Sequence, residues 1–211
     1  MQTLHQAMLL KKMYLLQALG FAYFDPIFFA PKSKNFSIKD SQSLNHMVRN
    51  CMLCSKKTSL SNVGLCNPHS KLTFISLFPL LDSNLRFNSK SGEMLQKIIQ
   101  NVFKLPLSQV SILSLLKCEI PKNEIENSLE SCASYFFKQL EFSHTKIIVA
   151  LGADAYFYFT KDGSPYENIR GKVLEWQKCL LFPTFSLLDL LRNPALKTQA
   201  HKDFITLKGY L

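Results

Sequence analysis

The chain has 211 residues, 47% of them hydrophobic, which is enough to bury one sizeable core and too few for two ordinary domains. Lys and Arg outnumber Asp and Glu by 25 to 15, and the formal charge of +10 favours a polyanionic partner, with a basic composition that implies no partner as the alternative. Six cysteines accompany no sign of secretion: the apolar stretch MYLLQALGFAYF is interrupted by Gln17, closed by Asp25-Pro26 and too short to span a bilayer. A cytoplasmic protein with reduced thiols and no membrane contact is expected, and close cysteines in that setting suggest metal or catalysis.

In chain order, residues 1–19 read as an amphipathic helix ending at Gly20. The next stretch, FAYFDPIFFAPKS, is expected to be extended and broken at Pro26 and Pro31, and 38–50 suits a short helix ending before Cys51. Four short apolar runs follow: LTFISLF (72–78), VSILSLL (110–116), KIIVALG (146–152) and KCLLFPT (178–184). Each has the length and the Val, Ile, Leu or Phe content of a strand buried on both faces. Helical patterns at 91–105, 124–142 and 153–159 lie between them. Strands separated by helices imply crossover connections, hence an α/β fold: a three-layer α/β/α domain around a central four-stranded parallel sheet, preceded by an N-terminal helical lead-in. Function in such sheets sits in the loops after the strand C-termini, here beginning near Ser76, Leu116, Gly152 and Pro183.

Cys51 and Cys54 form a C-x2-C pair, followed far along the chain by Cys118 and then Cys132, 14 residues later. Four thiolates are the usual complement of a 4Fe–4S cluster or a structural zinc. The wide second spacing departs from a zinc ribbon, and the C-x2-C pair alone is equally compatible with free loop cysteines. Cys179 reads as a small core residue in a strand and Cys66 as a loop thiol.

The order of these features resembles the iron–sulfur uracil-DNA glycosylases, family 4 of their superfamily, from roughly residue 45 to the C-terminus. The resemblance is carried by Cys51-x2-Cys54, Pro79 after the first strand, Phe87 before Gly92-x-x-Leu95, and Lys117-Cys118 with Pro121 and Asn123. It continues through Cys132 with Gln139-Leu140, Ile147 to Gly152 with Ala155, Arg170-Gly171, Pro183-Thr184 and Leu191-Arg192-Asn193-Pro194. It implies residues 1–44 as an extension and 45–211 as a uracil-DNA glycosylase-like domain, acting as a monomer on uracil-containing or single-stranded DNA in base excision repair. It also implies a 4Fe–4S cluster on Cys51, Cys54, Cys118 and Cys132, with zinc the remote alternative.

Cleaving uracil from DNA needs a flipped base, an aromatic floor, a group that reads the base edge, and prepositioned charge for the departing anion and the sugar. Phe87 stands where the family places its stacking phenylalanine. The family's Gly-Glu-x-Pro-Gly is Ser76-Leu77-Phe78-Pro79-Leu80 here, so Leu77 replaces the water-positioning acid. The base-reading asparagine is Ser114, and the His-Pro-Ser loop is Ser186-Leu187-Leu188. Asp82 is the nearest carboxylate, with a solvated loop aspartate as its ordinary reading. Asp82, Ser114 and Ser186 are therefore the candidate catalytic positions. Lys90, Arg170, Lys172 and Arg192 are the candidate DNA contacts, joined by Lys117 next to Cys118, and Lys56-Lys57 read as solubilising. None of the five histidines aligns with the substituted site. The substitutions leave three readings open: a glycosylase, a glycosylase with a changed substrate, or a non-enzymatic descendant that binds DNA or serves as an iron–sulfur scaffold.

Overall fold

The computed structural model describes residues 40–54 and 57–211. The expected helix over 1–19 and the extended stretch after it lie outside the described residues.

Helix α1 (Ser41–Arg49) begins where the Asp40 carboxylate accepts from the Ser43 backbone N–H at 2.7 Å, satisfying one of the free donors of the first turn. Leu44 and Val48, one turn apart, are fully buried and turn this helix toward a longer one that follows. The domain start expected at residue 45 falls inside α1.

Four strands, β1 (Leu72–Ser76), β2 (Val110–Ser114), β3 (Ile147–Leu151) and a later Cys179–Thr184, coincide with the four apolar runs and pair in parallel. Every residue of the first three is buried, which is why their sequences do not alternate. A fifth, three-residue strand, β4 (Leu174–Trp176), pairs antiparallel with Cys179–Thr184, which is β5, and the sheet order is β2-β1-β3-β5-β4. The expected four-stranded parallel sheet is thus extended at one edge by a hairpin. Its two-residue turn puts Gln177 at φ 52°, the positive φ that tight hairpins require.

Between the strands run α2 (Lys90–Ile98), α3 (Ile125–Ser143), α4 (Ala153–Thr160) and α5 (Tyr166–Ile169), and after the last strand come α6 (Leu187–Arg192) and α7 (Leu196–Lys208). Ser89 caps α2, and a π-helical stretch, Ile99–Phe103, prolongs it and keeps both Ile99 and Phe103 in the core. Successive strand residues point to opposite faces, so each face has its own core. Phe74 and Val149 pack with Leu95 of α2 and Phe204 of α7, whereas Ile75 and Ile148 pack with Phe136 of α3 and Phe159 of α4. The layers are therefore helix, sheet, helix. The chain steps from β1 outward to β2 and then returns to the other side of β1 for β3, which makes the C-terminal ends of β1 and β3 the switch point where such sheets hold ligands.

Gly152, at the end of β3, shows how tightly that end is built. It adopts φ 100° and ψ 158°, and a Cβ there would lie 2.7 Å from Cβ of Ser186. Gly152→Ala is expected to lower stability by roughly 2–4 kcal/mol, read as a lower urea midpoint at unchanged slope.

Candidate functional site: four cysteines and the substituted strand-end positions

The cysteine site is assembled by backbone hydrogen bonds between distant segments. Thr58 N–H donates to the Glu119 carbonyl at 2.9 Å, and Glu119 N–H donates to the Ser59 hydroxyl at 2.8 Å. Asn62 N–H closes the same run on the Lys117 carbonyl. The segment after Cys54 is in this way zipped to the segment holding Cys118. Packing of α1 on α3 brings Cys51, just beyond the end of α1, toward Cys132 on α3. Lys57, read from sequence as solubilising, donates from Nζ to the Cys51 carbonyl at 2.7 Å and closes the C-x2-C loop.

Cys118 and Cys132 respond to burial and to the neighbouring thiols. Burial pushes the Cys118 thiol up to about 11, and the charges of Cys132, Cys54 and Cys51 add to that, opposed by Lys57. Burial also raises Cys132, with Cys54 and Cys51 contributing in the same direction, while the backbone N–H of Lys117 hydrogen-bonds to its sulfur and opposes the rise. Tyr135, one turn beyond Cys132, is raised by burial and by the charge of, and its hydrogen bond with, Cys51. Cys118 and Cys132 are buried with Leu116 and Ile120, and Leu77 and Phe78 pack against this group. Among the described residues, no three His, Cys, Asp or Glu side chains gather closely enough to hold a single metal ion. Cys66 and Cys179 stand apart from the four: their thiols donate to the carbonyls of Gln139 and Thr145, each at 3.2 Å, as structural thiols do.

Lys117 corrects an expectation. It is not at the surface for DNA: its side chain is 1% exposed, and Nζ donates to the Ser114 carbonyl at 2.6 Å and to Oε1 of Gln139 at 2.5 Å. Burial pulls its ammonium down to about 7, with Cys132 and Cys66 pulling the other way. Gln139 relays the network to the Val63 carbonyl at 2.7 Å. Removing the ammonium strands two buried acceptors, so Lys117→Ala is expected to cost about 3 kcal/mol in chemical denaturation. Nothing local in the sequence distinguishes this lysine from a surface one.

The candidate catalytic positions cluster at the C-terminal ends of the strands, but their side chains are otherwise engaged. Ser76 turns its hydroxyl back to the Phe78 carbonyl at 2.7 Å, and Leu77 packs against the apolar group around the cysteines. Asp82 spends one carboxylate oxygen on the backbone N–H groups of Asn84 and Arg86, each at 2.8 Å, holding its own turn. Ser186 caps α6, accepting from Asp189 N–H at 3.0 Å and donating to the Asp189 carboxylate at 2.6 Å. Ser114 differs: it is 2% exposed, and its hydroxyl has no hydrogen-bond partner. Phe87 is half-buried against the core, on the loop leading into α2, where a Cβ on Gly92 would meet the Leu80 carbonyl at 2.6 Å.

The candidate DNA contacts divide. Lys90, Lys172 and Arg192 are exposed, at the start of α2, before β4 and at the end of α6. Arg170 is already committed: it pairs with Asp203 at 2.6 Å and its guanidinium lies over the Phe185 ring at 4.3 Å. Thr184 donates to the same Asp203 carboxylate at 2.9 Å, and a Cβ on Gly171 would come within 2.7 Å of it. The Arg170-Gly171 and Pro183-Thr184 pieces are thus two sides of one structural buckle to α7.

The family description "Uracil DNA glycosylase superfamily" matches residues 63–207, which covers most of the sheet and its helices, and the chain belongs to that superfamily. Within it, the chain is similar to proteins named type-4 uracil-DNA glycosylase. That of Saccharolobus solfataricus is 29% identical over 181 residues, covering 78% of this chain and 83% of that protein. That of Archaeoglobus fulgidus is 28% identical over 181 residues, covering 77% and 90%, and that of Thermotoga maritima is 26% identical over 162 residues, covering 71% and 82%. No helix among the described residues is long and apolar enough to cross a membrane.

Proposed function

We propose that this chain is a DNA-binding member of the uracil-DNA glycosylase superfamily that carries a 4Fe–4S cluster on Cys51, Cys54, Cys118 and Cys132 and recognises uracil or a related damaged base, with little or no capacity to excise it. The cluster, when bound, supplies a structural tie between the segment after α1, the loop after β2 and α3. The donor set fits it. Four thiols within electrostatic reach of one another, an N–H donor to one sulfur, and two nearby lysines suit a centre that binds thiolates and carries net negative charge. A single zinc would need all its sulfurs about 2.3 Å from one point. The ligands of a polynuclear centre stand farther apart, and the wide Cys118–Cys132 spacing departs from a zinc ribbon.

The observation that carries the recognition reading is the fate of the polar positions. Leu77 faces the apolar group by the cysteines, Asp82 holds its own turn, and Ser186 is consumed as a helix cap. Leu77 and Ser186 carry no charge to offer a developing anion or oxocarbenium sugar, and the Asp82 carboxylate is tied to the backbone of its own turn. Phe87 and the unpartnered Ser114 hydroxyl remain as a stacking surface and one hydrogen-bonding group for a base edge. Incubation with a uracil-containing oligonucleotide is expected to give salt-sensitive complex formation with an intact glycosidic bond; abasic product at rates comparable to the type-4 relatives would overturn the reading. An enzyme acting on a different lesion would be silent on uracil and would cleave that other base.

A further inference from the structure

We propose that the groove at the N-terminal edge of the sheet, opposite the candidate base pocket, is a second binding site for a nucleic-acid phosphate backbone, so that one chain can hold two DNA segments. The groove has a volume of about 800 Å³ and receives Lys71, Lys146 and Lys178, His69 and His144, and Tyr210. These lysines are not scattered. Each immediately precedes one of three adjacent parallel strands, β1, β3 and β5. Thr73 pairs with Ile148, so Lys71 and Lys146, each two residues upstream, stand level on neighbouring strands. Ile147 pairs with Leu180, which places Lys178 one position away from level on the next strand. Lys71 and Lys146 therefore form a level pair on strands about 4.8 Å apart, and Lys178, in the turn before β5, lines the same groove from the next strand.

Two of the strands open on the same pattern, His69-Ser70-Lys71 and His144-Thr145-Lys146. In both, the histidine takes a left-handed backbone, φ 63° and 48°, and the two rings stack at 5.8 Å with an interplanar angle of 19°. The hydroxyl residues between are buried and anchored: Ser70 N–H donates to the Ser143 carbonyl at 3.3 Å, and the Thr145 hydroxyl donates to the Ile147 carbonyl at 3.0 Å. The corners that carry the cations are therefore held rigid. Glu175 is the one acidic side chain lining the groove, and none of the three lysines is ion-paired among the described residues. Three cations lining one groove, flanked by stacked rings and an exposed tyrosine, suit a phosphate backbone with bases or sugars alongside.

The test uses the full chain and unmodified duplex DNA. An immobilised duplex is loaded with protein and offered a second, labelled duplex, and affinity is measured in parallel across salt concentration. Wild type is expected to capture the second duplex. Lys71→Glu/Lys146→Glu/Lys178→Glu is expected to abolish capture while still binding the first, and to reduce the slope of log affinity against log salt by about 2–3. Lys71→Ala/Lys146→Ala/Lys178→Ala should act in the same direction, which keeps the test decisive should the charge reversals disturb folding. Wild type that binds one duplex and captures no second overturns this proposal and leaves the proposed function standing. An unchanged slope and undiminished capture in both triple variants also overturn it.

Discussion

Cys132→Ala is expected to lose most of its iron and to melt about 8–16 °C below wild type. Cys132 is 2% exposed on α3, between the zipped segment that holds Cys118 and the end of α1 that leads to Cys51. A cluster that bridges these pieces binds only the folded chain, so its binding energy is folding energy. A loss of about 4 kcal/mol, combining the bridge with the deleted buried thiol, converts at 2–4 °C per kcal/mol for a chain of this size to the shift given. Cys118→Ala should behave alike. Cys179→Ala is the control: its thiol has only the Thr145 carbonyl for a partner, so iron content should stay at the wild-type level and melting should move by about 3 °C at most. Equal effects from Cys132→Ala and Cys179→Ala would mean that the four thiols share no centre. The readouts are metal analysis and calorimetry on anaerobically purified protein.

Uracil excision by the wild-type chain is expected to run at least ~10⁴-fold below a type-4 relative assayed beside it under single-turnover conditions, while both bind the same oligonucleotide. Each missing transition-state donor costs roughly 10²–10³ in rate, and the losses combine less than additively. Restoring one group should not restore the rate. Ser186→His gives up the α6 cap, worth about 1 kcal/mol, and its Cβ already sits against Gly152. Leu77→Glu alone places a carboxylate against an apolar group. Leu77→Glu/Ser114→Asn/Ser186→His, which supplies the acid, the base-reading amide and the anion stabiliser together, is expected to raise abasic product at least ~10²-fold over wild type. Wild-type excision near the relative's rate would show that other groups have assumed these roles.

Much of the fold was legible because fully buried strands announce themselves as short unbroken apolar runs, and all four such runs are strands. β4 was missed because three half-exposed residues, Leu174-Glu175-Trp176, carry no run at all; the two-residue turn after Trp176 was its one local signal. The Thr58–Glu119 and Asn62–Lys117 bonds that join the segments carrying the cysteines have no sequence signature, being backbone contacts between distant segments. Charge was the least transparent feature. Lys117 and Arg170 look like surface cations in the sequence, yet one is buried on Ser114 and Gln139 and the other is fixed by Asp203 and Phe185. The grouping of Lys71, Lys146 and Lys178 on one groove emerges only once the order and register of three strands are known.

The account depends most on what the four thiols hold. Metal analysis with visible absorption on protein purified without oxygen tests this directly: a brown sample with broad absorbance and about four irons per chain is predicted. A colourless sample holding zinc, or a metal-free sample that folds equally well with all four thiols open to alkylation, would contradict it.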